Sequence, residues 1–489
     1  MRNSTRRSRP AAAASAITKW RSHLQSIPSS CAKALASGVF LLTVALCRPA
    51  FATGPAGADE PWRLDDVLPE RLSISLDFRS RYEYLDDQFR AGRSGDEEIV
   101  VLRTLVDTRL RITDWLTVGA EFQDSRAVFK DDALLSTGIV NAAELLRAYG
   151  EVTLPDLFGG RFESRFGRIT MDIGSRRLVA RNRFRNTLNA FTGVDLEWSG
   201  EAGRELRAFW VLPIQRLPSD PESLRKNEVE FDDESLDVQF WGLFGAADLP
   251  RIGHGELFVY GLHESDSNAQ PTRNRRLYTP GWRILRKPAP GRFDYQYEGA
   301  LQVGESRWTT TSDQDLDHFA HFQHVEAGYT FAVPWSPRIA LQYDYASGDE
   351  DPDDDENQRF TTLYGARRFD FGPTGIYGPF ARANINTPGI RLQLKPHARV
   401  TSFVSYRAYW LASKKDSWTT SGLRDPSGNS GSFVGSQIEL RVRFQPLPGN
   451  LMLEAGYAHL FAGEFIEKAP NSNDEGDSNY VYTQATLRF

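Results

Sequence analysis

From about position 72 the chain repeats one texture, segments of about ten residues in which apolar and polar side chains alternate, broken by Gly, Pro, Asp and Asn. A period of two sends successive side chains to opposite faces, so each segment predicts a strand with two chemically different sides. In the first of them Leu72, Ile74, Leu76, Phe78, Ser80, Tyr82 and Tyr84 share one face. Ser73, Ser75, Asp77, Arg79, Arg81 and Glu83 share the other. The alternation persists to Phe489 and predicts about 18 strands, beginning near 72, 101, 115, 143, 161, 190, 205, 235, 255, 293, 320, 338, 360, 388, 398, 435, 450 and 479.

The linkers sort into two kinds. Thr113-Asp114 and Pro446–Asn450 are short, whereas Pro218–Glu230, Asp266–Lys287 and Ser347–Gln358 are long and polar. Short turns at one end and long loops at the other predict an all-β fold, a transmembrane antiparallel β-barrel of about 18 strands. Trp115, Trp198, Trp210, Tyr343, Tyr406, Tyr457 and the pair Tyr480/Tyr482 fall near strand ends, where amphipathic rings suit the membrane interface. The last segment closes on Phe489, on the apolar face with Val481, Thr483, Ala485 and Leu487. A terminal aromatic of this kind resembles the signal by which the barrel-insertion machinery recognises outer-membrane proteins, and the expected location is the bacterial outer membrane.

Charge distribution refines the N-terminus. Residues 1–52 carry eight Lys/Arg and no Asp or Glu, and the apolar run Ala34–Leu46 leads to Ala50-Phe51-Ala52, an A-x-A cleavage pattern. The predicted organisation is a signal peptide at 1–52, a short lead-in at 53–70 and the barrel at 71–489. The only cysteines, Cys31 and Cys47, lie in the leader, which excludes a thiol nucleophile, a Cys-ligated metal and a disulfide framework from the rest. No apolar stretch outside the leader approaches the roughly 20 residues of a membrane helix.

Outward apolar residues leave the polar ones for the lumen, and that face is rich in arginine matched by carboxylates. Cross-strand ion pairing is the ordinary role of any one of them. One stretch exceeds it: Arg168, Arg176, Arg177, Arg181, Arg183 and Arg185 stand against the single acid Asp172. Folded into the lumen, such a run faces anions, since guanidinium forks match carboxylate and phosphate; left outside, it meets lipopolysaccharide phosphates. The acidic run 349–356 offers Asp349, Asp351, Asp353 and Asp355 as a calcium candidate, against the reading of a solvated loop. No catalytic constellation is evident: His318, His321 and His324 alternate between strand faces, and His459 stands alone on an outward face. The expectation is a channel and not an enzyme, with no cofactor and no nucleic-acid partner.

Three pieces carry a family resemblance: Gly167-Arg168 with Gly174-Ser-Arg-Arg-Leu178 and Asn186, then Tyr345-Ala-Ser-Gly-Asp349 with Phe360-Thr-Thr-Leu-Tyr364, and Gly435-Ser-Gln-Ile-Glu439 through to Phe489. In order and spacing the chain resembles the alginate-export family of outer-membrane channels. That resemblance implies an 18-stranded barrel passing an anionic polysaccharide, an alginate-like polyuronate, through an arginine-lined constriction. It points to Arg79, Arg81, Arg147, Arg168, Arg391, Arg441 and Arg443 as pore residues, to which the basic run adds Arg176, Arg177, Arg181 and Arg183. The alternative is an anion porin for small carboxylates. Expected partners are outer-membrane lipid and lipopolysaccharide, the insertion machinery, the polysaccharide and a periplasmic export scaffold.

Overall fold

A computed structural model describes residues 61–130, 135–267, 271–473 and 476–489; the leader and most of the lead-in lie outside the described residues. After a 3-10 turn at Leu64–Val67 the chain runs through β1 (Leu72–Asp86), β2 (Glu97–Arg111), β3 (Leu116–Val128), β4 (Asn141–Leu157), β5 (Gly160–Ile169), β6 (Phe191–Gly200), β7 (Glu205–Pro213), β8 (Val238–Leu249) and β9 (Gly253–Glu264). It continues with β10 (Arg276–Arg286), β11 (Arg292–Ser306), β12 (Leu316–Thr330), β13 (Arg338–Ala346), the two-residue β14 (Glu356–Asn357), β15 (Ile385–His397), β16 (Val400–Trp410), β17 (Phe433–Leu447), β18 (Leu451–Ala462) and β19 (Ser478–Arg488). Each long strand pairs antiparallel with its neighbours, and β1 pairs with β19 from Asp77↔Arg488 to Asp86↔Asn479. Eighteen long strands therefore close into a barrel with no free edge, which leaves every ladder partner satisfied within the sheet.

The two faces follow the alternation. On β12, Phe319 and Val325 point outward, while His318, Ala320, Phe322 and His324 point inward and are buried. Three expectations need correction. A strand occupies 276–286, inside what reads as the connection Asp266–Lys287. Its sequence RLYTPGWRILR hides it, because Pro280 and three arginines read as loop. The segment near 360 is not a spanning strand; Phe360 is apolar because it packs on Phe322 inside the lumen, with centroids 5.6 Å apart, and not because it meets lipid. Tyr480 and Tyr482 likewise face the lumen rather than the interface, stacked against Tyr377 and edge-on to Phe184 at 4.9 and 5.6 Å.

Those rings meet two long loops that fold inward. The first arm, 170–190, joins β5 to β6, and the second, 358–384, precedes β15 and contains α1 (Arg368–Phe371). They zip to each other inside the barrel: Ala180 N donates to Tyr364 O (3.2 Å), Tyr364 N to Leu178 O (3.0 Å) and Ala366 N to Arg176 O (2.9 Å). The crossing is so close that a Cβ on Gly365 would run into the Arg177 carbonyl. Ile173, Leu178, Val179, Tyr377 and Phe380 on the arms pack on inward wall residues such as Val101, Phe240, Phe322 and Tyr409. The barrel thus has an apolar core within its lumen, at the long-loop end. This explains why some inward positions are apolar despite the general rule.

Candidate functional site

The wall arginines nearest the first arm hold its backbone. Arg79 donates to the carbonyls of Arg183, Phe184 and Arg185 (3.0, 3.1 and 2.9 Å) and to Asn186 Oδ1 (2.9 Å). Arg103 reaches the Arg183 and Arg185 carbonyls at 3.1 Å each. Arg81 donates to the Phe184 carbonyl at 2.8 Å and pairs with Glu83 at 2.8 Å. Arg79 and Arg81 are 2% and 1% exposed. They position the arm, with their donors turned away from any solute in the lumen.

The arms are clamped by a buried ionic network. Arg177, at 3% exposure, grips Asp370 through Nε and Nη2 at 2.9 Å each and Glu298 of β11 at 2.7 Å. Asp370 also accepts from Arg382, and Asp344 of β13 bridges His324 and Arg407 at 2.7 Å each. Burial opposes charge on Arg177, yet Asp370 and Glu298 outweigh it and hold its guanidinium above the ordinary range. Here sequence order was no guide, since Arg177 and Asp370 are 193 residues apart.

At the short-turn end a vestibule of about 730 Å³ is lined by alternating charges, including Arg147, Arg165, Arg181, Arg183 and Arg207 with Asp77, Asp107, Glu121, Asp172, Glu205 and Glu256. Arg147 bonds Glu121 and Asp107 (2.6 and 2.8 Å), Arg181 bonds Glu121 (2.5 Å), and Arg183 meets Asp172 (3.2 Å) with most of its side chain exposed. Elsewhere on the wall Arg168 bridges Glu144 and Glu234 (2.5 and 2.8 Å), and Arg443 pairs with Glu454. All these arginines carry a carboxylate.

A smaller set forms no ion pair among the described residues. Arg391 and Arg441 flank the Phe403 ring at 5.0 and 4.5 Å, and Arg391 makes one hydrogen bond, to the Phe369 carbonyl at 2.9 Å. Arg176 is exposed and lies over Phe369 at 5.5 Å. Deeper among the loops, three guanidiniums come from three separate segments: Arg185 of the first arm, Arg216 between β7 and β8, and Arg367 of the second arm. Arg216 donates to Thr137 O and Asn189 Oδ1 (3.0 and 3.1 Å), Arg367 donates to Phe380 O (3.1 Å), and none of the three has an ion-pair partner among the described residues. Burial, then the charges of Arg216 and Arg367, drive Arg185 well below the ordinary arginine value. Burial and the Arg382 charge bring Arg367 to about 10, and burial lowers Arg216. The three cations thus act on one another with no ion pair among the described residues, and only Arg216 feels a carboxylate, Asp232. Arg216 and Arg367 escape a sequence reading because parity ranks only strand positions, and both stand in loops.

Of the remaining candidates, Asp351 lies 3.5 Å from Lys415, while Asp349, Asp353 and Asp355 line a cavity of about 580 Å³ at the long-loop end. Phe489 meets Trp62 edge-on at 5.2 Å, beside the β17–β18 turn. His459 is held by Asn479 and Asp477 (2.8 and 3.4 Å), with no serine among its partners in the described residues.

Among solved structures the barrel is similar to OccK9 (OpdG) of Pseudomonas aeruginosa, with 14% identity and a TM-score of 0.54 over 86% of this chain and 99% of that one. It is also similar to OccAB1 of Acinetobacter baumannii, with 12% identity and 0.57 over 86% and 97%. OpdK of P. aeruginosa, solved with vanillate, gives 13% identity and 0.53 over 85% and 99%. At such identities the likeness shows the fold alone. No curated protein matches the chain in sequence. The sequence pattern that defines alginate export proteins matches residues 70–478, nearly the whole described barrel. The chain belongs to the alginate export family and is a channel of the bacterial outer membrane.

Proposed function

We propose that the channel passes an anionic polysaccharide, an alginate-like polyuronate, and that Arg185, Arg216 and Arg367 seat its carboxylates where the two arms narrow the lumen. The observation that supports this reading is the placement of three guanidiniums from three loops, each without an ion pair among the described residues. A polyuronate carries one carboxylate per sugar, so successive units can exchange places on a few forked donors. Arg176, Arg391 and Arg441 add further charge that forms no ion pair among the described residues. The alternating charges of the vestibule keep binding there weak and distributed, as conduction requires.

The test is current block in planar bilayers by oligouronates of increasing length, compared with neutral oligosaccharides of equal length. The reading expects block that deepens with chain length and weakens in Arg185→Gln/Arg367→Gln. Equal block by neutral chains would remove it. A second reading, a porin for small carboxylates, is favoured by the vestibule, whose volume of about 730 Å³ suits one small molecule, and by the likeness to OpdK, a structure containing vanillate. It expects block by monomeric carboxylates with no dependence on chain length.

A further inference from the structure

At the long-loop end the acidic run folds over a cavity whose lining includes Trp308, Asp349, Asp353, Asp354, Asp355 and Glu356. Most of a carboxylate-rich loop belongs in water, but Asp349 does not: it is 1% exposed. Its Oδ1 accepts from Gln358 N at 3.2 Å, and its Oδ2 is buried with no hydrogen-bond partner. Its own backbone N donates to Asp416 Oδ2 at 3.1 Å, so a second carboxylate stands beside it. The local cations are committed elsewhere. Arg359 is bound through two nitrogens by Asp416 and lies over the Trp308 ring at 4.3 Å, and Lys415 faces Asp351. Arg424, the other cation near that ring, is 5.2 Å from it. Asp349, Asp353 and Asp355 have no cationic partner among the described residues.

A buried carboxylate oxygen without a donor costs several kcal/mol unless it is protonated or meets a cation. Asp349 Oδ2 is buried with no donor and no ion pair among the described residues, and a cation would supply the missing partner.

We propose that this cavity binds a divalent cation of calcium size, with Asp349 as the inner ligand and Asp353, Asp354 and Asp355 supplying further oxygens directly or through water. Calcium suits the site better than magnesium, because a run of carboxylates offers many oxygens at irregular angles whereas magnesium demands a near-ideal octahedron. The ion would fix the start of the chain that becomes the second arm, and would offset negative charge at the external mouth. The inference does not depend on which anion crosses the pore.

Terbium luminescence on the intact folded barrel tests it, because Trp308 lines the cavity and can sensitise a bound lanthanide. Terbium should light through tryptophan and be displaced by calcium, with calorimetry giving a dissociation constant of about 10⁻⁴–10⁻³ M, the range of extracellular calcium modules. Trp308→Phe should abolish the luminescence and leave calcium heats in place. Asp349→Asn should weaken calcium at least about tenfold, through loss of one ligand charge. Asp353→Asn/Asp355→Asn, at exposed positions that do not threaten folding, should also weaken it. The absence of calcium heats at millimolar calcium would overturn the proposal. So would heats unchanged by both sets of variants, which would place the ion elsewhere, for example at Asp86, Asp87 and Asp96.

Discussion

Asp370→Asn removes one charge from the centre of the clamp between the two arms while preserving shape. Asp370 receives two bonds of 2.9 Å from Arg177 and another from Arg382. After the change Arg177 keeps Glu298 at 2.7 Å, whereas Arg382, fully buried, keeps only the carbonyls of Ala366 and Arg177 (2.7 and 3.3 Å). Breaking a buried pair by removing one partner costs about 3–5 kcal/mol, and the retained Glu298 contact argues for roughly 3. The strand ladders are untouched, so the barrel should survive and the loss should fall on arm docking. About 3 kcal/mol raises the undocked fraction roughly hundredfold. Trypsin is the assay, because undocking at the clamp frees the peptide bonds after Arg176 and Arg177, whereas Arg79 and Arg103 still hold the Arg183 and Arg185 carbonyls. The expected result is cleavage within the first arm at least tenfold faster than in the parent protein, a heat-stable barrel, and noisier, larger open-channel currents. Unchanged trypsin resistance and conductance would refute the clamp.

Gly365→Ala should also part the arms, since its Cβ would meet the Arg177 carbonyl, and should reproduce the Asp370→Asn cleavage pattern without altering any charge. Asn186→Ala removes the acceptor of Arg79 and the donor to Ile139 O at 2.8 Å, both buried, for a loss of about 1–3 kcal/mol read by hydrogen exchange in the first arm. Trp62→Ala loses the edge-on contact with Phe489 and should lower the melting temperature of the barrel slightly, by an amount consistent with about 0.5–1.5 kcal/mol. Because burial raises the folded Asp349 carboxyl from 3.8 to about 6, the folded chain holds more protons across that window. Loop stability should therefore fall as pH rises through it and level off above, while calcium affinity should rise as the carboxyl ionises. Asp349→Asn should flatten the stability profile.

The barrel is legible because lipid imposes one rule on every spanning strand, an apolar outward face, and the rule repeats along the chain. Where the rule weakens, the reading fails. Strand β10 carries Pro280 and so resembles a loop, and the stretch near 360 is apolar for a different reason, its docking inside the lumen. The inward turn of the first arm is foreshadowed by its arginine run. The assumption that a lumen arginine faces solute is not general, since Arg79 and Arg81 hold backbone and Arg177 is locked in a buried network. The proposed seat combines Arg185 with Arg216 and Arg367, residues from separate loops with no periodicity to connect them. Only folding brings those three together.

The most direct test of the account is the reversal potential across a salt gradient for single channels of the parent protein and of Arg185→Gln/Arg367→Gln. At an effective dielectric of 20, a unit charge about 6 Å from a passing anion contributes roughly 3 kcal/mol before screening, so losing two should be plainly visible. The account predicts an anion-selective parent and a variant whose selectivity falls towards neutrality with its arms still resistant to trypsin. A cation-selective parent, or a variant with unchanged selectivity, would contradict it.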